Sequence, residues 1–195
     1  MSELLSYVET QNLLDELPNE HQKLVAEVVP NQISVGGIQR VLQNLLNERV
    51  SIRDLPTILE GISEACAFTR NVTQLTEHVR SRLARQISEQ NSTEDNFIPL
   101  VTLSAEWEQI FSDSILDQGE DKQLSMAPSQ LQRFIGAVRN TLDELADIED
   151  PPVVLTSPSA RPFVRSIIER FRPATAIMSQ NELHPKAKIK TLGQI

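Results

Sequence analysis

The chain is 195 residues long, 39% apolar but only 4% aromatic, with a formal net charge of −9. Its core must therefore be aliphatic, and its acidity argues against non-specific binding to nucleic acid or to an anionic membrane surface. The single cysteine, Cys66, leaves no intramolecular disulfide framework and no cysteine-based zinc site. No apolar run approaches the ~20 residues of a membrane span, and the acidic start Met1-Ser2-Glu3 lacks the basic region of a secretory signal.

The first half carries only helical periodicity. Leu4, Leu5, Val8, Leu13, Leu14 and Leu17 recur at helical spacing until Pro18. Leu24, Val25, Val28 and Val29 form a second run that stops at Pro30. Ser34 is placed to cap a third helix with Val35, Ile38, Val41, Leu42, Leu45 and Leu46 on one wide apolar face. Ser51-x-x-Asp54 resembles a capping box for a fourth, which carries Leu55, Ile58, Leu59 and Ile62 with Pro56 in its first turn. Asn71 is placed to cap a last helix whose stripe runs Leu75, Val79, Leu83, Ile87. Residues 1–88 thus predict a small helical bundle. Residues 89–96 continue a stretch with no apolar side chain that begins at Ser88, and they predict a polar linker.

From residue 97 the period changes. Phe97–Leu103 reads as a strand with Pro99 near an edge or start, followed by a helix from Ser104 that carries Trp107, Ile110 and Phe111. Residues 117–125 are polar and predict a loop containing at most a short strand. A long helix over 127–148 follows, then strand 152–156, a helix with Phe163, Val164, Ile167, Ile168 and Phe171, and strand 174–178. That is one β-α-β unit, predicted to be right-handed with parallel strands. Lys188–Ile195 reads as a final strand. Residues 97–195 therefore predict a small α/β subdomain with a mixed sheet, giving an α + α/β fold. Charge is segregated: residues 161–195 hold 7 Lys/Arg against 2 Asp/Glu, in an otherwise acidic chain. That points to an internal contact or a partner surface.

Candidate chemistry is sparse. His21, His78 and His184 are far apart, none has a metal-ligand partner at motif spacing, and no glycine-rich phosphate loop is present. No metal or cofactor is implied. Cys66 ends an apolar helix face without a nearby His or Lys to lower its pKa, which suits a buried structural role. Arg80, Arg82 and Arg85 lie on the polar side of the Leu75–Ile87 stripe and suit a solvated face or a protein contact better than nucleic acid, since no aromatic platform accompanies them. The turn Thr156–Arg161 joins a strand to a helix start. Ser157, Ser159 and Arg161 there are either an anion or nucleotide site of a small α/β enzyme, or simply a helix cap followed by Pro162.

Several strings carry a family resemblance. Val41-Leu-Gln-Asn-Leu-Leu46, Val50-Ser-Ile-Arg-Asp-Leu55 and Thr57-Ile-Leu-Glu60 resemble the cytoplasmic domain of the FlhA family, the export-gate proteins of bacterial type III secretion. Leu14-Asp-Glu-Leu17, Leu83-Ala-Arg-Gln-Ile87, Val153-Val-Leu155 with Arg161-Pro-Phe163, and Met178–Leu183 follow in the family's order. The resemblance implies the last two cytoplasmic subdomains only, with an inner-membrane anchor and two earlier subdomains elsewhere in a full-length protein, so that this part faces the bacterial cytoplasm and inserts no helix itself. It implies a non-enzymatic docking and gating module, flagellar or in a virulence-type system. Its partners would be other copies in a nine-subunit ring, chaperone–substrate complexes and the cytoplasmic export ATPase complex. It implies a last subdomain that moves relative to the others, and an isolated fragment that stays monomeric. Arg53, on the polar side of its helix start, is the preferred ring or partner contact, with Arg80, Arg82 and Arg85 beside it as candidates.

Overall fold

The computed structural model describes residues 5–119, 121–148 and 150–195. Met1–Glu3 and Leu4 of the first apolar run lie outside them. The chain forms two compact units that divide between Leu83 and Ala84.

The first unit is a helical bundle: α1 (Tyr7–Asp15), α2 (Asn19–Val28), α3 (Val35–Asn47), α4 (Leu55–Ala65) and α5 (Val72–Arg82). The starts of α1, α3, α4 and α5 are capped by side-chain oxygens that take up otherwise unpaired amides, while α2 starts after Pro18 without one. Ser6 and Glu9 form a reciprocal capping box on α1, Ser34 Oγ accepts from the Gly37 amide at 3.1 Å, and Asn71 Oδ1 accepts from Gln74 at 3.1 Å. At α4 the cap is Asp54, which accepts from Thr57, and not Ser51. Ser51 Oγ instead accepts from the Arg53 amide two residues on, a local turn that leaves the helix start to the carboxylate. The core is aliphatic: Leu14, Val28, Ile38, Val41, Leu42, Leu45, Ile58, Leu59, Ile62, Leu75 and Val79 are all buried. Val8, placed by spacing on the apolar face of α1, is exposed, and Thr10 is buried in its stead with its hydroxyl donating to the Ser6 carbonyl. Cys66 is buried at the C-terminus of α4.

The stripe Leu75–Ile87 is not one helix. Leu83 leaves helical geometry (φ −91°, ψ 16°), and α6 (Ala84–Gln90) begins after it. The two helices bury their faces in different cores: α5 buries Leu75 and Val79 in the bundle, whereas Ile87 and Ser88 of α6 belong to the second unit. The polar stretch is an ordered turn of that unit, with Thr93 N–H donating to the Phe97 carbonyl and Asn96 N–H donating to the Thr93 carbonyl, each at 2.9 Å.

The second unit continues with β1 (Phe97–Thr102), α7 (Ala105–Ser114), β2 (Ile115–Gln118), β3 (Asp121–Leu124), α8 (Pro128–Glu144), β4 (Val153–Thr156), α9 (Arg161–Ile168), β5 (Ile177–Ser179) and β6 (Lys188–Gln194). Strands β5-β4-β1-β6 form a parallel sheet, and β2 and β3 form a separate antiparallel hairpin where the polar composition suggested a loop. The predicted α + α/β architecture is present, with β4-α9-β5 as its β-α-β unit. α8 stops at Glu144 and β5 starts only at Ile177.

Strands β1, β4 and β5 are buried on both faces of the parallel sheet, so they are apolar without strict alternation, whereas the edge strand β6 is largely exposed. Val101, Val154 and Ile177 pair side by side across β1, β4 and β5, and they belong to one core with Trp107, Phe111, Phe134, Val138, Val164 and Ile168 from α7, α8 and α9. Phe134 meets Trp107 and Phe111 edge-on, with centroids 5.1 and 4.9 Å apart. Ile98, Leu100, Val153 and Met178, on the other face, are equally buried.

In the bundle α4 and α5 pack against each other at Gly61. A Cβ placed there would lie 3.3 Å from Val79 Cγ2 and 3.4 Å from both Val79 Cα and Arg82 Cγ. Alanine is close to the limit and valine is past it. Gly61→Val is expected to destabilise the chain by about 1–3 kcal/mol, the ordinary cost of overpacking. Urea unfolding checks this, as a lowered midpoint at an unchanged slope.

Candidate interaction surface

The strand–helix turn at 156–161 does not hold an open anion site. The Ser157 amide donates to Glu108 Oε1 of α7 at 2.8 Å, so the chain's own carboxylate takes the place of a ligand. Ser157 Oγ accepts from the Ala160 amide and lies 3.4 Å from Ser159 Oγ. Ser159 is exposed, whereas Arg161 is 1% exposed and donates to the Ile177 carbonyl at 3.1 Å. The turn therefore brings the two serines together but turns the arginine into the sheet. Sequence spacing does not reveal Glu108, which lies far away along the chain.

The four arginines also separate. Arg80 is 3% exposed, and its guanidinium meets Glu48 at 3.2 Å inside the bundle. It is a buried ion pair and not a surface contact, because its place on α5 faces α3. Arg85 belongs to the second unit, where it is exposed and pairs with Glu89 one turn on. Arg53 is exposed just before the Asp54 cap. Arg82 is exposed on α5 and reaches Glu60 at 3.5 Å and Glu64 at 3.7 Å on α4.

The Arg82 contacts belong to a larger arrangement. Glu60 and Glu64 are four residues apart on α4, and His78 and Arg82 are four apart on α5, so each pair occupies one helix face. The two rows meet. His78 Nε2 lies 3.0 Å from Glu64 Oε2, and the exposed Phe68 ring stands edge-on to His78 at 5.6 Å. The hydrogen bond from His78 and, to a lesser extent, the Arg82 charge hold the Glu64 carboxyl below its usual range. Complementary i,i+4 pairs on helices adjacent in sequence are the signal that would have found this network. His21 lies beside its neighbour Glu20, and His184 accepts from the Lys186 amide. Among the described residues no group of His, Cys, Asp or Glu is placed to hold a metal ion, and no helix is long and apolar enough to cross a membrane.

These features define a class: a helical bundle followed by a small parallel α/β unit, with buried charges spent on internal partners and an exposed mixed-charge face on one helix pair. The chain belongs to the FHIPEP family, whose sequence profile matches residues 1–188. It is 54% identical over its whole length to the Flagellar biosynthesis protein FlhA of Caulobacter vibrioides and spans 28% of that relative. Its fold is similar to the structure of the Chlamydia pneumoniae CdsV and CdsO protein complex, at 30% identity and a TM-score of 0.89 over 100% of this chain and 57% of that one. It is also similar to the nonameric EscV cytosolic domain from the type III secretion system, at 28% identity and a TM-score of 0.80, again over 100% and 57%.

A folded-state pKa below the unfolded one stabilises the fold above the unfolded value, and that stability is lost as the pH falls through the folded one. The melting-temperature gap between the parent chain and Glu64→Gln should therefore be present at pH 5.5 and close as the pH is lowered toward 3. Thermal melts across that range check it, and the gap is small because the pair is exposed to solvent.

Proposed function

We propose that this chain is a docking and gating module of the flagellar type III protein export apparatus, in the part of the export gate that faces the cytoplasm. The observation that carries the reading is the 54% identity along the entire chain to a flagellar FlhA protein. Its work is binding and conformational change, carried by the helical unit that ends at Leu83 and the α/β unit that begins at Ala84, with the polar stretch 89–96 a turn inside the second. Two kinds of partner are supported by the relatives. A similar cytosolic domain is nonameric, which favours other copies of the full-length protein arranged in a ring. Another similar chain is found in a complex with CdsO, which favours contact with other secretion components. We extend the partners to chaperone–substrate complexes and the export ATPase assembly.

Arg53 and Arg82 are the residues we assign to ring or partner contact in the first unit, and Arg85 in the second. All three are exposed. Arg53 makes no side-chain ion pair among the described residues and is the first choice. A virulence-type secretion role is the alternative, favoured by the EscV and CdsV likenesses but at roughly half the identity.

Deleting this segment in frame from the intact gene should abolish swimming and extracellular flagellin, both restored by the undamaged gene. Normal swimming with secreted flagellin would overturn the flagellar reading and move the search to secreted effectors. Within it, Arg53→Glu should lower flagellin secretion at unchanged protein level, and wild-type secretion by that variant would remove Arg53 from the contact.

A further inference from the structure

The basic end of the chain carries no role in the proposed function. Its last strand, β6, is an edge of the parallel sheet and the longest strand among the described residues. One side pairs with β1 from Phe97↔Lys188 to Thr102↔Gln194. No strand of the described residues lies on the other side, so its outward N–H and C=O groups form a free row.

The side chains along that row are open. Lys188, Ile189, Lys190 and Thr191 are all exposed, Ile189 by 54%. Strand alternation puts Lys188 and Lys190 on one side and Ile189 on the other. Lys190 Nζ lies 5.3 Å from the centre of the Phe97 ring on β1. Neither these lysines nor Lys186 makes an ion pair among the described residues. Beside the start of the strand is a groove of about 420 Å³ lined by Arg85, His184, Lys186 and Lys188. Its one acid, Glu89, is taken up by Arg85 at 2.8 Å.

Lysines on an edge guard against pairing with another copy of the same edge, because like charges would meet. They attract a strand of opposite charge. Nucleic acid fits less well, since it cannot use the row of amides and carbonyls and would face an otherwise acidic chain. We propose that the outer edge of β6 is a docking strand for an extended acidic segment of a partner protein. Main-chain hydrogen bonds supply affinity. Lys186, Lys188 and Lys190 select acidic side chains, and Ile189 takes an apolar one at an alternate position. The proposal stands independently of the export role.

The test is amide hydrogen exchange by NMR on the 195-residue chain. The probe is a synthetic peptide of alternating Glu and Val long enough to span β6. Outward amides between Lys188 and Thr191 should slow by about tenfold or more at saturation, and the effect should weaken as salt is raised. The same peptide with Pro at its centre should not protect them, nor should a Lys/Val peptide. Lys188→Glu with Lys190→Glu should abolish protection while leaving the melting temperature unchanged, since both side chains are outside the core. Unchanged β6 exchange at millimolar peptide would overturn the proposal. So would equal protection by the Lys/Val peptide, or binding of an oligouridylate to the lysines without amide protection.

Discussion

The second unit depends on one constraint: the inner strands of a parallel sheet must be covered on both faces and closed at their ends. Val101, Val154 and Ile177 can lie side by side only because α7, α8 and α9 bring Phe111, Phe134 and Val164 over them. Burying the strand ends also buries polar groups, and those must be satisfied within the fold. The Ser157 amide finds Glu108, and Arg161 finds the Ile177 carbonyl. Glu182, fully buried, accepts from the Ser179 amide at 2.6 Å, while Ser88 Oγ donates to the Glu182 carbonyl and accepts from the His184 amide, each at 2.9 Å. Side chains that look like chemistry along the sequence are therefore structural. The groups that remain open lie on exposed edges and helix faces.

The bundle solves a different problem with the same economy. Gly61 lets α5 approach α4, and the close approach brings the acidic row of one helix onto the basic row of the other. The buried Arg80–Glu48 pair lies on the inner side of α5, and the Glu64–His78–Arg82 network on its outer side. Breaking a buried pair by removing one partner costs far more than losing an exposed one. Substitutions at Arg80 therefore report on folding, whereas Arg53 and Arg82, both exposed, can be changed at little cost to the fold.

Much of this was legible in the sequence, and the misses have physical causes. Long periodic segments such as α3 and α8, the caps at Ser34 and Asn71, and the strand–helix–strand unit were readable because local chemistry dictates them. The Leu75–Ile87 stripe misled because periodicity does not say which core a helix faces, and the chain turns at Leu83 from one unit to the other. The true cap of α4 was hidden because Ser51 and Asp54 both have suitable oxygens, and only backbone geometry at Asp54 decides between them. Arg80, Arg161 and Glu108 could not be placed, since their partners Glu48, Ile177 and Ser157 are fixed by tertiary packing. The family resemblance was legible over most of the chain, least over residues 104–128, because it rests on whole strings and not on single side chains.

If the proposed flagellar role holds, this chain can replace the matching part of a flagellar relative. The most direct measurement places it in the Caulobacter vibrioides relative, in exchange for the matching 28% of that protein. Cells carrying the chimera in place of their own gene should swim and secrete flagellin. A chimera that accumulates to normal levels in cells that neither swim nor secrete would contradict the account.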